Sequence, residues 1–309
     1  MRRARVGEGA AISASSRTKF CSFASGRDRL LFSFSGEDPV HGPAPTSVAT
    51  QQAEVLSHDA LNAEYRHLVL RAGAPASGAL PGQFFQLLCP APPGEAPFLR
   101  RPMSLYGADP ASGTVEFLYK VTGAGTRGLA TLSAGDTLDI MGPLGRGFAL
   151  YPAWRGVVAI GRGAGLATLA PIAKAARAAG IGVTAVLSAR RPELVVSESL
   201  FREQGARVIT VTDQEGTSGP AHVERLLRGL IAEGGVDAFL TCGSARLLRV
   251  QQRLGREFGI PGQVALEQQM ACGLGMCFCC VRDFNEGGEI VHKRVCWDGP
   301  VFDMLEAVA

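Results

Sequence analysis

The chain has 309 residues, 46% of them hydrophobic and 19% charged, which is enough apolar material for two ordinary domains and too little charge for a disordered chain. The 31 Lys and Arg against 28 Asp and Glu leave a net charge of +3, with no basic stripe interleaved with aromatics, so nucleic-acid binding is not expected. No run of 18 uninterrupted apolar residues occurs, and the best candidate, "GVVAIGRGAGLATLAPIAKAA", is broken by glycines, arginine and proline, so no membrane span is expected.

Residues 1–49 stand apart. Arg2, Arg3, Arg5, Arg17, Lys19, Arg27 and Arg29 lie among serines and alanines with few acids and no apolar secretory core. Two readings remain for this stretch, an organellar targeting segment or a poorly structured extension, and neither carries chemistry.

From residue 50 to 152, short segments with period-2 or buried-strand character follow one another: "QQAEVLSHDAL", "YRHLVLRAG", "GQFFQLLC", "RPMSLYG", "TVEFLYKVTG" and "TLDIMGPLG". Gly, Pro and Asp turns punctuate them, which predicts a small antiparallel β-barrel. From 153 to 264 the pattern changes to strands alternating with helices, beginning with "GVVAIGRGAG" and the alanine-rich "LATLAPIAKAARAAG" and ending with "DAFLTCG" and "ARLLRVQQRLGREFG". That alternation predicts an α/β domain on an open parallel sheet, a nucleotide-binding architecture. Residues 265–309 form a third, small segment with no long periodic element, dominated by cysteine and glycine, so something other than an apolar core is expected to hold it.

"MACGLGMCFCCVRDF" places four cysteines within nine residues. Cys272, Cys277 and Cys280 follow C-x4-C-x2-C spacing, and Cys296 comes after fifteen more residues; this is the plant-type spacing for a [2Fe-2S] cluster. Gly273 and Gly275 let the backbone approach a cluster and turn N–H groups toward its sulfurs. Disulfides would require a secreted context and a less crowded loop, and structural zinc would favour paired C-x2-C units. The two-residue gap selects Cys280 over its neighbour Cys279, while Cys21, Cys89 and Cys242 read as isolated small apolar residues.

Other motifs are weaker singly. Arg101 and Ser104 in "FLRRPMSLYG" can face a dinucleotide pyrophosphate, and Gly125 with Thr126 form an amide-rich turn suited to phosphate. Gly161, Gly163 and Gly165 lie between a strand and a helix, although the third glycine comes one residue too early for the ordinary Rossmann fingerprint. Arg190 and Arg191 can reach a 2'-phosphate or be a solvated helix entry; NADH is preferred.

Taken together and in order, "RPMSLY", "LYKVTGAGT", "MGPLGRGF", "IGRGAG", "TCG" and "LEQQMACGLGMCFCC...C...DGPVF" make residues 50–309 similar to the electron-transfer subunit of NAD-dependent two-subunit dihydroorotate dehydrogenases, within the ferredoxin-reductase-like flavoproteins. The resemblance implies a cofactor-binding role for Arg101, Pro102, Met103 and Ser104, for Leu118, Tyr119 and Lys120, and for Gly125 and Thr126, all toward FAD. It also implies nicotinamide contacts at Gly161, Gly163, Gly165, Cys242 and Gly243, and cluster ligation by Cys272, Cys277, Cys280 and Cys296. Arg162 stands where the family commonly has glycine, and Ser244 where it commonly has proline.

No catalytic triad is expected. The resemblance implies hydride exchange between NAD and FAD joined to one-electron transfer through the [2Fe-2S] cluster. It further implies a cytoplasmic protein with an FMN-containing catalytic partner, two copies of each subunit, supporting oxidation of dihydroorotate to orotate. The subunits of sulfide dehydrogenases, ferredoxin-NADP transhydrogenases and soluble hydrogenases share this chemistry and stay open as alternatives, as does a non-enzymatic zinc module.

Overall fold

The computed structural model describes residues 47–309. The basic N-terminal segment and Cys21 lie outside them.

Seven short strands build the first layer: β1 (Ala49–Ala60), β2 (Tyr65–Arg71), β3 (Phe84–Leu87), β4 (Arg101–Ser104), β5 (Gly107–Asp109), β6 (Thr114–Lys120) and, after the short helix α1 (Ala124–Leu129), β7 (Thr137–Leu144). They form one antiparallel sheet in the order β4-β3-β7-β1-β2-β6-β5. It curls around a core of Phe85, Leu87, Phe117, Leu68 and Leu70 as a half-barrel. Strand alternation decides which side chains reach that core. On β6, Val115, Phe117 and Tyr119 point into the barrel core, whereas Leu118 packs with the second domain. On β3, Phe85 and Leu87 fill the barrel, which leaves Phe84 and Gln86 on the other face.

The second layer is β8 (Gly156–Arg162), α2 (Gly165–Ala178), β9 (Gly182–Ala189), α3 (Glu198–Glu203), β10 (Arg207–Thr212), α4 (Pro220–Glu233), β11 (Ala238–Cys242), α5 (Ala245–Phe258) and β12 (Gly262–Ala265). Its strand order is β10-β9-β8-β11-β12, all parallel, so the chain leaves β8 toward opposite edges in its two halves. The crevice between the carboxyl ends of β8 and β11 is therefore the topological switch point, where such sheets take their ligands. Helix α5 shows how the sequence encodes the layer: Leu247, Leu248, Val250, Gln251 and Leu254 are buried while its arginines face solvent, Ser244 caps its start and Gly259 ends it at φ 70°.

The cysteine segment carries a hairpin, β13 (Val281–Glu286) with β14 (Glu289–Arg294), that the sequence pattern did not predict. It then returns as β15 (Val301–Asp303), which pairs antiparallel with β12 and extends the parallel sheet by one edge strand. Cys280 and Cys296 are consequently buried in the same apolar cluster as Val158, Ile160 and Phe84. Among the described residues no helix is long and apolar enough to cross a membrane.

Candidate functional site

A cleft of about 870 Å³ runs between the barrel and the second layer. Its walls include Arg101, Pro102, Met103 and Ser104 of β4, Leu118, Tyr119 and Lys120 at the end of β6, and Thr126 of α1. The volume suits an aromatic cofactor of moderate size. The opposite wall is the segment from Leu266 to Met270, which runs directly into the cysteine loop.

The β4 and α1 residues meet because Gly125 has no side chain. A Cβ there would lie 2.8 Å from the Arg101 side chain, so the guanidinium stem packs across the first turn of α1. The sequence predicted a plain turn at Gly125 and Thr126; the structure has a short helix instead, and the Thr126 hydroxyl is engaged in closing it. Thr126 Oγ1 accepts from the backbone N–H of Thr122 (2.8 Å) and Gly123 (3.0 Å). Lys120 is held by Glu64, Nζ to Oε2 2.6 Å, and Arg190 pairs with the same carboxylate, which these cations keep below its ordinary range. Tyr119 is placed differently from its neighbours. Its ring lies in the barrel core with its hydroxyl 2.8 Å from His58 Nε2, so its phenol does not face the cleft.

The predicted nicotinamide residues gather at the switch point. Gly161 leaves room for Leu166 and Leu169 of α2, Gly163 adopts φ 59°, and a Cβ on Gly165 would sit 2.6 Å from the Cys242 carbonyl oxygen. Gly243 adopts φ 91°, and a Cβ there would sit 2.3 Å from the Arg162 carbonyl oxygen. The two glycine motifs thus lock the ends of β8 and β11 together, and the turn reaches the cleft wall at Ala164. Arg162 uses its guanidinium to tie β8 to β9 and to the residue after β10, bonding Ser188 Oγ at 2.9 Å and Asp213 at 2.5 Å. Asp213, bonded by Ser218 and Arg162, is held below the usual carboxylate range. Ser244, standing in place of proline, accepts the Leu247 N–H at 3.4 Å as the N-cap of α5. Cys242 is fully buried, and burial pushes its thiol well up, so it is a neutral packing group rather than a nucleophile.

Sequence reasoning missed Glu267. It lines the cleft with its side chain exposed at the mouth, and desolvation by the protein around it pushes its carboxyl up. Only its place at the end of β12 puts it there, and nothing in the local pattern signals it.

The four predicted ligand cysteines fall into two pairs. All four are free thiols, with Cys277 beside Cys272 and Cys280 beside Cys296, close enough for each neighbour to influence the other's titration. Backbone N–H groups point at these sulfurs: Leu274 to Cys272 at 3.3 Å, Gly275 to Cys296 at 3.2 Å and Cys296 to Cys280 at 3.4 Å. Positive φ at Gly273 (70°) and Gly275 (77°) makes those approaches feasible. Burial would raise the Cys272 thiol, but the N–H groups of Leu274 and Cys277 bring it down to about 7, whereas burial pushes Cys296 up to about 12. Arg294 braces the loop from β14, donating to the Gly275 carbonyl at 3.0 Å and pairing with Asp298 at 3.1 Å.

Among the described residues no three His, Cys, Asp or Glu side chains converge as one ion would need. Two thiol pairs, each with its own amide donors, fit a two-iron cluster, in which each iron takes two thiolates, better than one tetrahedral zinc. Cys279 is exposed, with its sulfur turned to the Gln269 carbonyl at 3.9 Å and away from both pairs.

A half-barrel with a cofactor-sized cleft, an α/β sheet of nucleotide-binding topology closed on it and a four-thiol loop beside it define a ferredoxin-reductase-like flavoprotein with an iron-sulfur segment. Comparison with known proteins agrees. The family described as the iron-sulfur cluster binding domain of dihydroorotate dehydrogenase B matches residues 267–307. The chain is 33% identical over 233 residues to the dihydroorotate dehydrogenase B (NAD(+)) electron transfer subunit of Desulforamulus reducens, covering 74% of this chain and 87% of that one. It is 35% identical over 234 residues to the Bacillus cereus subunit of the same name, covering 74% and 86%. Among solved structures, an NADH-dependent reduced ferredoxin-NADP oxidoreductase superposes with a TM-score of 0.70 at 28% identity, over 84% of this chain and 90% of that chain. The ferredoxin reductase of carbazole 1,9a-dioxygenase shares the fold, with a TM-score of 0.57 at 23% identity over 71% and 68%. The chain belongs to the family of dihydroorotate dehydrogenase B (NAD(+)) electron transfer subunits. It is an oxidoreductase subunit of electron transfer whose redox groups are FAD, a [2Fe-2S] cluster and NAD. A non-enzymatic zinc module is not favoured.

Proposed function

We propose that this subunit carries electrons between the FMN of a catalytic partner and NAD, and so supports oxidation of dihydroorotate to orotate. The observation that carries the reading is continuity: the wall of the cleft ends at Met270, and the first cluster thiol is Cys272. FAD and the cluster supply the exchange between two-electron hydride chemistry and one-electron transfer. The chain's own residues bind and orient. Arg101, braced on Gly125, takes the FAD phosphates; Pro102, Met103, Ser104 and Leu118 wall the ring, with Tyr119, Lys120 and Thr126 holding the strand and helix ends around it. Gly161, Gly163, Gly165, Cys242 and Gly243 shape the nicotinamide entrance, and the two cysteine pairs hold the irons.

Arg190 and Arg191 pair with Glu64 and Glu193 at the surface, and NAD is the nucleotide on this reading. Residues 50–152, 153–264 and 265–309 serve as the FAD, NAD and cluster parts of a cytoplasmic protein. Met276 (80% exposed), Phe278 (63%) and Trp297 (52%) surround the cysteine loop and form the face for the partner, in an assembly of two copies of each subunit.

Co-expression with the FMN subunit tests this. The purified complex should reduce NAD when given dihydroorotate, and neither subunit alone should do so. A complex that reduces NAD only with sulfide, hydrogen or reduced ferredoxin would replace this reading with one of the other electron-transfer assignments.

A further inference from the structure

Gln86 is fully buried, and both polar atoms of its side chain lack a hydrogen-bond partner among the described residues. An amide stripped of water on both ends is costly, and native proteins rarely keep one without a use. Its backbone is satisfied differently: the carbonyl accepts from Arg100 at 3.3 Å, and the strand pairs Gln86 with Pro102 and Met141.

Strand alternation fixes where the side chain goes. Phe85 and Leu87 occupy the barrel core, so Gln86 leaves β3 on the opposite face. There it meets the cysteine loop. A Cβ on Gly273 would lie 2.8 Å from Gln86 Nε2 and 2.9 Å from its Cγ, so only a glycine permits the loop to lie on this amide. Gly273 follows Cys272 directly. Gln86 does not line the flavin cleft, although Phe84, two residues earlier on the same face, does.

We propose that Gln86 is a positioning residue of the iron-sulfur site, whose amide N–H donates to a sulfur on the Cys272 side of the bound cluster. The proposal rests on the cluster reading of the four cysteines. It explains two observations at once: the orphaned Nε2 gains its acceptor when the cluster is present, and the glycine next to a ligand is there to admit it. The barrel strand that pairs with the flavin motif thereby touches the second redox group. Reduction adds one negative charge to the cluster, and a hydrogen bond to sulfur stabilises that form more than the oxidised one, which raises the potential.

The test is a redox titration of the purified, cofactor-loaded protein, following the cluster by its electron-spin-resonance signal and FAD by its absorbance. Gln86→Met keeps the side-chain length and removes the donor. The expected result is about a tenfold loss in the one-electron reduction equilibrium of the cluster, about 59 mV toward negative potential, with the FAD potential unchanged. Gln86→His, which retains an N–H, should recover most of the loss. A shift confined to FAD, or no shift in either centre, overturns the proposal. So does loss of the cluster from both variants, which would mark the position as packing alone. Iron and acid-labile sulfide in the unsubstituted protein check the cluster reading separately; their absence would sink that reading, whatever the variants do.

Discussion

Gly165 and Cys242 are in backbone contact: a Cβ on Gly165 would sit 2.6 Å from both the carbonyl carbon and the carbonyl oxygen of Cys242. Glycine near a helix start ordinarily costs up to about 1 kcal/mol relative to alanine, so Gly165→Ala would stabilise α2 if propensity decided. The clash is with main chain and not with a flexible tip, and overpacking of that kind costs about 1–3 kcal/mol. Gly165→Ala is therefore expected to lower the melting temperature and weaken NADH binding together, because the β8 turn is pushed off the end of β11. Thermal unfolding and an NADH titration by flavin absorbance check it; an unchanged melting point would show that the contact yields without cost.

Arg101 offers a separation between cofactors. With Arg101 proposed to meet the FAD phosphates, Arg101→Ala would remove a charged contact there and leave the thiol pairs untouched. A charged hydrogen bond of about 1.5–3 kcal/mol corresponds to a ten- to hundred-fold weaker hold on FAD. Dialysis of the variant should yield protein depleted in flavin with its full iron content. Equal retention of FAD after prolonged dilution would move the phosphate site elsewhere.

His58 supplies a pH dependence with a defined sign. Its Nδ1 lies 2.8 Å from the Leu132 carbonyl, which can only accept, so Nδ1 carries the proton and Nε2 accepts from the Tyr119 hydroxyl in the neutral ring. Burial lowers the pKa of His58 below its usual 6.5. The folded state thus prefers the neutral ring: its contribution to stability is present above pH about 6.5 and is lost as pH falls through the lower folded value. His58→Gln should lessen the fall in melting temperature between neutral and mildly acidic buffer. A fall as steep as that of the unsubstituted protein would place the acid sensitivity in another group.

Much of this architecture was legible because side-chain period and burial coincide. β6 alternates through Val115, Phe117 and Tyr119, with Leu118 buried on its other face against the second layer, and α5 places its leucines on one face, so both could be read from the sequence. The β13–β14 hairpin could not: apart from Phe284 it is exposed or half-exposed on both faces, and no alternation results. β12 and β15 are four and three residues long, and their pairing is a contact between distant parts of the chain. At the site, the cysteine spacing singled out the four thiols that the structure gathers in one loop and hairpin, but not their arrangement in pairs, which depends on the hairpin bringing Cys296 back to Cys280. Tyr119 lines the cleft while its ring is in the barrel core, because the middle residue of a strand triplet sends its side chain to the opposite face from its neighbours. Gln86 carried no signal, because its environment exists only once the loop folds over β3.

The adjacent pair Cys279 and Cys280 gives the sharpest test of the electron route. Cys280 is buried, paired with Cys296 and supported by that residue's own N–H at 3.4 Å, whereas Cys279 is exposed with its sulfur toward Gln269. Cys280→Ser replaces a soft sulfur at the proposed iron ligand position and is expected to strip or destabilise the [2Fe-2S] cluster. Cys279→Ser should leave the electron-spin-resonance signal and the iron content intact. The cleft and the glycine turns are built from other residues, so stopped-flow reduction of FAD by NADH should persist in the Cys280 variant at a rate close to that of the unsubstituted protein. Turnover with the partner subunit should nevertheless collapse, because the one-electron path between FAD and the proposed FMN of the partner is cut. The reverse pattern, with the cluster lost only from the Cys279 variant, would displace the ligand assignment by one residue. Full partner turnover in both variants would remove the cluster from the path altogether, and would require the partner's flavin to exchange electrons directly across the cleft.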